Sequence, residues 1–257
     1  MTENKVVAIL RCLFFPPKCC ACSDFLQEHI LDTEQRALCE RCRRKWEYAK
    51  LSSCTRCGEE LSKCRCIPLP LKRAGASAML KMVPYDKEEN TVAKRSILFM
   101  KRKNSRAVFA FFSGQMSGLL REYLNETYTQ EKDVLVTYLP RGRRNRRRSG
   151  IDQSELLAKG VAAQSGCEFA SLLLRGRRGG KEQKQLDRSA RVKNVKDAFR
   201  LSMADFSDVD RRYRCLVLVD DVVTTGASLA ECVRLLRTRF HGRIVCLCLG
   251  KTEELRG

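Results

Sequence analysis

The stretch that most constrains this chain runs from Cys215 to Leu229 and reads C-L-V-L-V-D-D-V-V-T-T-G-A-S-L. Its first five residues, Cys215 to Val219, form an apolar run without polar alternation, the pattern of a strand buried on both faces of a parallel sheet. The run is expected to stop at Asp220 and Asp221. That places two carboxylates where the strand emerges at its carboxyl end, the edge at which open α/β sheets bind ligands. Thr224 to Ser228 follow as a loop of small residues. Leu229, Cys232, Val233, Leu236 and Phe240 then recur at helical spacing, so the loop opens a helix whose first backbone N–H groups are free.

Such a turn is built to cradle a phosphate. Hydroxyls at Thr224, Thr225 and Ser228 add donors, and Gly226 permits a positive φ or a close backbone approach. The acidic pair just before it repels a phosphate and needs hydroxyls or a cation instead, which a sugar phosphate carrying Mg²⁺ supplies. Apolar strand, acidic pair, two apolar residues and T-T-G-A-S together resemble the phosphoribosyl pyrophosphate (PRPP) loop of type I phosphoribosyltransferases. The resemblance implies that Asp220 and Asp221 hold the ribose hydroxyls while Thr224, Thr225, Gly226, Ala227 and Ser228 wrap the ribose phosphate. Many members acting on purine bases carry an Asp directly before the T-G, where this chain has Thr224. Binding of the ligand is therefore implied more firmly than any transfer reaction.

At 257 residues the chain is long enough for one α/β core and a small second module. Fifty Lys and Arg against thirty Asp and Glu give a net charge of +20, which points to polyphosphate, nucleic-acid or anionic-surface partners. No apolar run reaches the eighteen or so residues of a spanning helix, and the opening residues lack a cleavable leader, so a cytoplasmic protein without a membrane span is expected. Ten of the fifteen cysteines lie in the first 66 residues, and in a reducing compartment such clustering reads as metal ligation rather than disulfides. Cys19-x-x-Cys22, Cys39-x-x-Cys42, Cys54-x-x-Cys57-Gly58 and Cys64-x-Cys66 supply eight thiolates, enough for two tetrahedral zinc sites. Taken consecutively, Cys19, Cys22, Cys39 and Cys42 hold one ion and Cys54, Cys57, Cys64 and Cys66 the other. Cys20 competes with Cys19 for the first, and the single residue between Cys64 and Cys66 makes the second a tight bite. With few apolar residues of its own, this segment needs metal to fold. The I-P-L-P-L stretch marks a boundary near residue 70, dividing a zinc-ribbon module at 1–70 from an α/β domain at 71–257.

Within the second part, helices are expected at about 91–100 and 108–124, the first ending in the basic cluster Lys101, Arg102 and Lys103, and a strand at 134–139. The run after that strand, R-G-R-R-N-R-R-R-S-G from Arg141 to Gly150, has six arginines in ten residues. Following a strand of the same sheet, it rises at the same edge as Asp220, where guanidinium groups grip a pyrophosphate or track a nucleic-acid backbone. Ser154 is expected to cap a helix reaching about Gln164. Residues 175–199, glycine-rich at the start and basic throughout, read as a flap over the sheet edge or as a linker. Trp46 and Tyr48 are the clustered aromatic candidates for base stacking, though packing residues are the plainer reading.

The order of these parts closely resembles the ComF family, phosphoribosyltransferase-like proteins associated with DNA uptake in naturally competent bacteria. The resemblance rests on the double cysteine cluster with C-T-R-C-G, the P-R-G stretch ending in S-G-I-D-Q-S-E-L-L-A, the E-Q-K-Q-L and R-V-K-N-V segments, and V-D-D-V-V-T-T-G-A-S. It implies a type I phosphoribosyltransferase-like parallel sheet behind a small zinc-ribbon module, with PRPP and Mg²⁺ at the acidic pair. Arg141, Gly142, Gln153, Gln183, Arg191 and Asn194 then belong to the pyrophosphate site or its flap. Arg144, Arg146, Arg147 and Arg148 are the candidates for contacting incoming single-stranded DNA, with DNA-uptake proteins as further partners. Two functions stay open at this point: a PRPP-binding DNA-uptake factor, and a phosphoribosyltransferase acting on a nucleobase or related acceptor.

Overall fold

The computed structural model describes residues 14, 16–26, 37–85, 91–142, 150–176 and 198–252. Two helices precede the sheet, α1 (Glu40–Lys50) and α2 (Leu69–Arg73). The α/β part then runs β1 (Ala78–Pro84), α3 (Val92–Arg102), α4 (Arg106–Glu126), β2 (Val134–Tyr138), α5 (Gln153–Ser165), β3 (Glu168–Phe169), β4 (Leu173–Arg175) and β5 (Phe199–Leu201). It closes with α6 (Phe206–Arg212), β6 (Cys215–Val223), α7 (Ala227–Arg237) and β7 (Arg243–Lys251).

Five strands form one sheet in the order β1-β7-β6-β2-β3, every pairing parallel, while β4 and β5 make a small antiparallel ribbon. This is the parallel α/β sheet the sequence predicts for a phosphoribosyltransferase-like domain. Cys215 to Val219 have no exposed surface, and their alternate residues enter two different cores. Cys215, Val217 and Val219 join the side chains of α3, α4 and α5 on one face, and Leu216 and Leu218 join those of α2, α6 and α7 on the other. An unbroken apolar run is the pattern that suits this double burial. The strand does not stop at the carboxylates, however. Pairing with β7 continues through Asp220, Val222 and Val223, so the acidic pair lies within the strand's last residues rather than beyond them.

The helices follow local rules. Thr91 caps α3 by accepting the Lys94 N–H at 3.2 Å, and in α4 buried residues recur three and four apart from Val108 through Phe112, Met116 and Leu120 to Leu124. Ser154 is not the cap of α5. Asp152 takes that place, its carboxylate facing the Glu155 N–H at 3.5 Å, because the helix starts two residues earlier than Ser154 would allow. Gly166 ends α5 in the left-handed region.

The cysteine-rich segment builds no large core of its own. Cys19, Cys20, Leu38, Cys42 and Trp46 pack into the core on the α3–α4 face, and the boundary expected near residue 70 falls on α2, whose Leu71 is buried in the opposite core. Trp46, on α1, sits against Phe112 at 5.1 Å and Phe111 at 6.2 Å between ring centroids. Its indole N–H faces Gln115 Oε1 at 3.4 Å. Trp46 is thus a packing residue, not a stacking platform for bases, and burial of a side chain this large contributes on the order of 3 kcal/mol. Tyr48 is exposed.

Candidate functional site

The carboxyl edge of the sheet gathers charge of both signs. Asp221 is only 4% exposed, yet carries two cations: the Arg141 guanidinium contacts its Oδ2, and Lys101 Nζ stands 3.4 Å from the same oxygen. Arg141 arrives from the turn after β2, the strand beside β6, and Lys101 from the last turn of α3. The turn is fixed by Asp152, whose Oδ2 accepts the Arg141 backbone N–H at 2.8 Å. Gln153, buried at the start of α5, donates through Nε2 to the Lys101 carbonyl at 3.2 Å, and its Oε1 has no partner among the described residues. Lys101 also lies over the Tyr85 ring at 5.5 Å. Gly142 is half-buried beside Arg141.

Asp220 has no such cation of its own. Its Oδ1 accepts from Ser154 Oγ at 3.1 Å and from the Asp221 backbone N–H at 2.9 Å. Burial pushes its pKa up to about 7, the charge of Asp221 adds to the rise, and the two hydrogen bonds and Arg141 do not cancel it. Burial also raises Asp152, and raises Tyr85 with help from Asp221.

After β6 the chain turns at Thr224 and Thr225, both exposed, into Gly226 at φ 74° as the N-cap of α7. A left-handed N-cap favours glycine, and a Cβ at that position would come within 3.3 Å of Leu71. Thr225 Oγ1 accepts from the Ala227 N–H at 3.4 Å, and Ala227 and Ser228, both half-buried, form the first turn of the helix. The edge thus presents carboxylates suited to hydroxyls or a cation, guanidinium and ammonium groups suited to an anion, and a helix start suited to a phosphate. A surface depression of about 660 Å³ lined by Met203, Asp205, Phe206 and His241 lies at the other end of the strands, away from these groups.

Lys101, Asp152, Ser154 and Tyr85 are site residues that reading the sequence missed. Lys101 stood in a noted basic cluster, but nothing local tells which of three cations turns toward a carboxylate over a hundred residues away. Gln183, Arg191 and Asn194, and Arg144, Arg146, Arg147 and Arg148, lie outside the described residues.

The eight cysteines gather in two groups. The sulfurs of Cys19, Cys22, Cys39 and Cys42 all lie within 4.8 Å of one another, as do those of Cys54, Cys57, Cys64 and Cys66. A zinc about 2.3 Å from each of four tetrahedral sulfurs needs them roughly 3.8 Å apart. Cys22 and Cys39 stand 3.7 Å apart, and Cys57 and Cys64 3.4 Å. The residue after each first pair, Ser23 at φ 64° and Gly58 at φ 79°, adopts the left-handed conformation that folds the knuckle back. Crowding splits the thiols of each group: burial and neighbouring sulfurs push Cys42 up, and Cys66 to about 12, whereas burial is outweighed by hydrogen bonds that lower Cys19, and Cys64 to about 6, so the four of a group do not all become thiolates together. A divalent ion reverses that cost by taking the protons' place, so both groups can hold zinc. Cys20 stays out of the first group, and burial pushes its thiol to about 12.

No family model matches this chain. It is similar to the DNA utilization protein YhgH of Salmonella typhimurium (strain LT2) and of Escherichia coli (strain K12), 34% identical to each over 137 residues. That match covers 52% of this chain and 57% of each relative, so the chain spans little more than half the length of the curated relatives it matches. Among solved structures it is similar to glutamine PRPP amidotransferase from B. subtilis complexed with ADP and GMP, at 19% identity over 60% of this chain and 30% of that one, TM-score 0.36. TT1426 from Thermus thermophilus is similar at 18% identity over 56% of this chain and 86% of that one, TM-score 0.30. Among the described residues no helix is long and apolar enough to cross a membrane.

Two outcomes follow from this geometry. Elemental analysis of the purified chain is expected to give two zinc ions; one ion would remove the Cys64-x-Cys66 group from the reading, and none would remove both. The second concerns Asp220, whose folded pKa near 7 exceeds the unfolded value of about 3.9. The native state therefore holds more protons between about pH 4 and 7, and its stability falls as pH rises through that window. Asp220→Asn keeps an acceptor for Ser154 and Asp221 while removing the charge. In calorimetry of the ligand-free protein it is expected to raise the unfolding temperature at pH 8 and leave it unchanged at pH 4; a lower midpoint at pH 8 would mean the ionised carboxylate is held favourably.

Proposed function

We propose that this chain is a ComF-like protein that binds PRPP with Mg²⁺ at the carboxyl edge of its sheet and supports DNA uptake in the cytoplasm by binding incoming single-stranded DNA. The observation that carries the reading is the meeting of Asp220 and Asp221 with Arg141 and Lys101 beside the Gly226 turn. A PRPP molecule needs acceptors for its ribose diol and cations for its pyrophosphate within one ligand's length, and few small metabolites ask for both. In this reading Thr224 to Ser228 wrap the 5′-phosphate, while Arg141, Gly142 and Gln153, with Gln183, Arg191 and Asn194 of the flap, serve the pyrophosphate. Mg²⁺ would enter with the pyrophosphate against the acidic pair. Residues 1–70 form the zinc-binding module and 71–257 the phosphoribosyltransferase-like domain. The name carried by the relatives, DNA utilization protein, supports the nucleic-acid role, as does the +20 charge of the chain.

A second reading, a phosphoribosyltransferase, uses the same ligand. Thr224 weighs against it, because its exposed hydroxyl stands where a carboxylate would exchange a proton with the acceptor base. Binding is accordingly the preferred reading, and a screen of nucleobases for pyrophosphate release decides between the two.

Titration calorimetry with PRPP and Mg²⁺ is expected to show one site, and PRPP at about a hundred times its dissociation constant to stabilise the fold by roughly 2.7 kcal/mol. Asp220→Ala with Asp221→Ala is expected to abolish that gain and leave the zinc content unchanged; a full gain in the double variant would place the ligand elsewhere. For DNA, each phosphate neutralised on a single strand adds about −0.7 to the slope of log K against log salt, so four such phosphates give a slope near −3. Replacing Arg144, Arg146, Arg147 and Arg148 by Ser is expected to flatten the slope by roughly 0.7 for each phosphate no longer neutralised. A variant that keeps its salt slope yet loses PRPP would make these arginines a pyrophosphate grip and remove them from the DNA surface.

A further inference from the structure

Lys81 is a buried cation without a carboxylate. It lies on β1, an edge strand of the sheet, is 1% exposed, and among the described residues forms no ion pair. Its ammonium donates to Cys64 Sγ at 3.0 Å and to the Cys64 carbonyl at 3.2 Å. Removing an ammonium from water is strongly unfavourable unless a countercharge is near, and a single sulfur with one carbonyl offers little of it. Four thiolates around a divalent ion, by contrast, carry two negative charges in excess. Cys64 Sγ also receives the Cys66 backbone N–H at 3.3 Å, so two donors converge on one sulfur of the second cysteine group.

The first group is built differently. Among the described residues Arg41 is a cation near its sulfurs, paired with Asp24 on the exposed surface, where water supplies the screening. Among the described residues the second group has only Cys54, Leu61 and Cys64 as a local core, with Cys66 packed against them, so little apolar contact holds it to the sheet.

We propose that Lys81 is the buried countercharge of the Cys54, Cys57, Cys64 and Cys66 site, so that metal binding there and seating of the cysteine-rich segment on the sheet edge are one event. The proposal rests on the metal reading of that group. Sulfur that accepts two N–H bonds in a metal site is less readily protonated and released, and removal of such an outer partner typically costs 10–100-fold in metal affinity.

The test measures zinc release from the full chain into a chromogenic chelator. Lys81→Met, which keeps the length and removes the charge, is expected to lose one of two zinc ions about 10–100-fold more readily while the other is unchanged. Lys81→Arg is expected to retain both. Adding Cys57→Ser to Lys81→Met should leave only the slowly released ion, which assigns the weakened site. In the unaltered chain loaded with Co²⁺, the Lys81 ammonium resonance is expected to be shifted by the paramagnetic ion, a readout that does not depend on a variant folding. Two ions released from Lys81→Met at the unaltered rate, both accelerated equally, or an unshifted Lys81 resonance would each overturn the proposal. A chain with two zinc ions insensitive to Lys81 fails this proposal alone, whereas a chain without zinc fails the metal reading itself.

Discussion

Asp221, a carboxylate with almost no solvent, is the point on which the carboxyl edge of the sheet depends. It sits near the end of a strand enclosed by two cores, where an unpaired charge would cost several kcal/mol, so the fold must bring cations to it. Arg141 comes from the turn after β2 and Lys101 from the end of α3, and each is held in turn: Arg141 by Asp152, Lys101 by Gln153 at its carbonyl. One buried charge therefore fixes where α3 ends, where α5 begins and how the β2 turn is folded. Function and architecture meet there, since the groups that neutralise Asp221 are also the ones an anionic ligand would need.

The same rule operates at the sheet's edge. Lys81 of β1 is in register with Cys248 of β7, and Cys248 with Asp220 of β6, so a cation, a thiol and a carboxylate form one row across three strands. Strands are about 4.8 Å apart, which puts the two charged positions roughly 10 Å from each other, too far to serve as partners. Each must be satisfied locally, Asp220 by Ser154 and the Asp221 N–H, Lys81 by the second cysteine group. The cysteine-rich segment is consequently more than an appendage. Trp46 joins it to the core on one face of the sheet, and Lys81 ties its second sulfur cluster to the outer strand.

What the sequence made legible was whatever depends on neighbours in the chain. The apolar run at 215–219, the helical spacing of 108–124, the paired cysteines and the glycine at 226 each carry a local signal of burial, periodicity or φ, and the structure places strand, helix, sulfur groups and left-handed turn accordingly. What it hid were contacts across long separations. Ser154 looked like a helix cap because a hydroxyl before an apolar run usually is one; in the folded chain its neighbour Asp152 caps, and the Ser154 hydroxyl turns to Asp220. The strand overran its expected end because β7 offers pairing partners as far as Val223, which no pattern within β6 could indicate. Lys81 lies in β1, a strand the sequence reading did not mark, and nothing local signals that its partner is a sulfur seventeen residues upstream.

The arrangement at Asp221 also bears on how a ligand could enter. Arg141 and Lys101 cannot serve a pyrophosphate and Asp221 fully at once, so binding must either share them or replace them at the carboxylate. If they left with nothing in exchange, Asp221 would be stranded, and the loss would subtract directly from affinity. A ligand that brings its own divalent cation would avoid that penalty, since Asp221 would hold the cation and leave the Arg141 guanidinium and Lys101 ammonium for the phosphates. Metal-free pyrophosphate offers no such exchange, and a neutral sugar offers neither half of it. Under the proposed reading, the resting ion pairs would favour a metal-bound polyphosphate over its separate parts, a selectivity set by the groups already neutralising Asp221 rather than by the shape of the site.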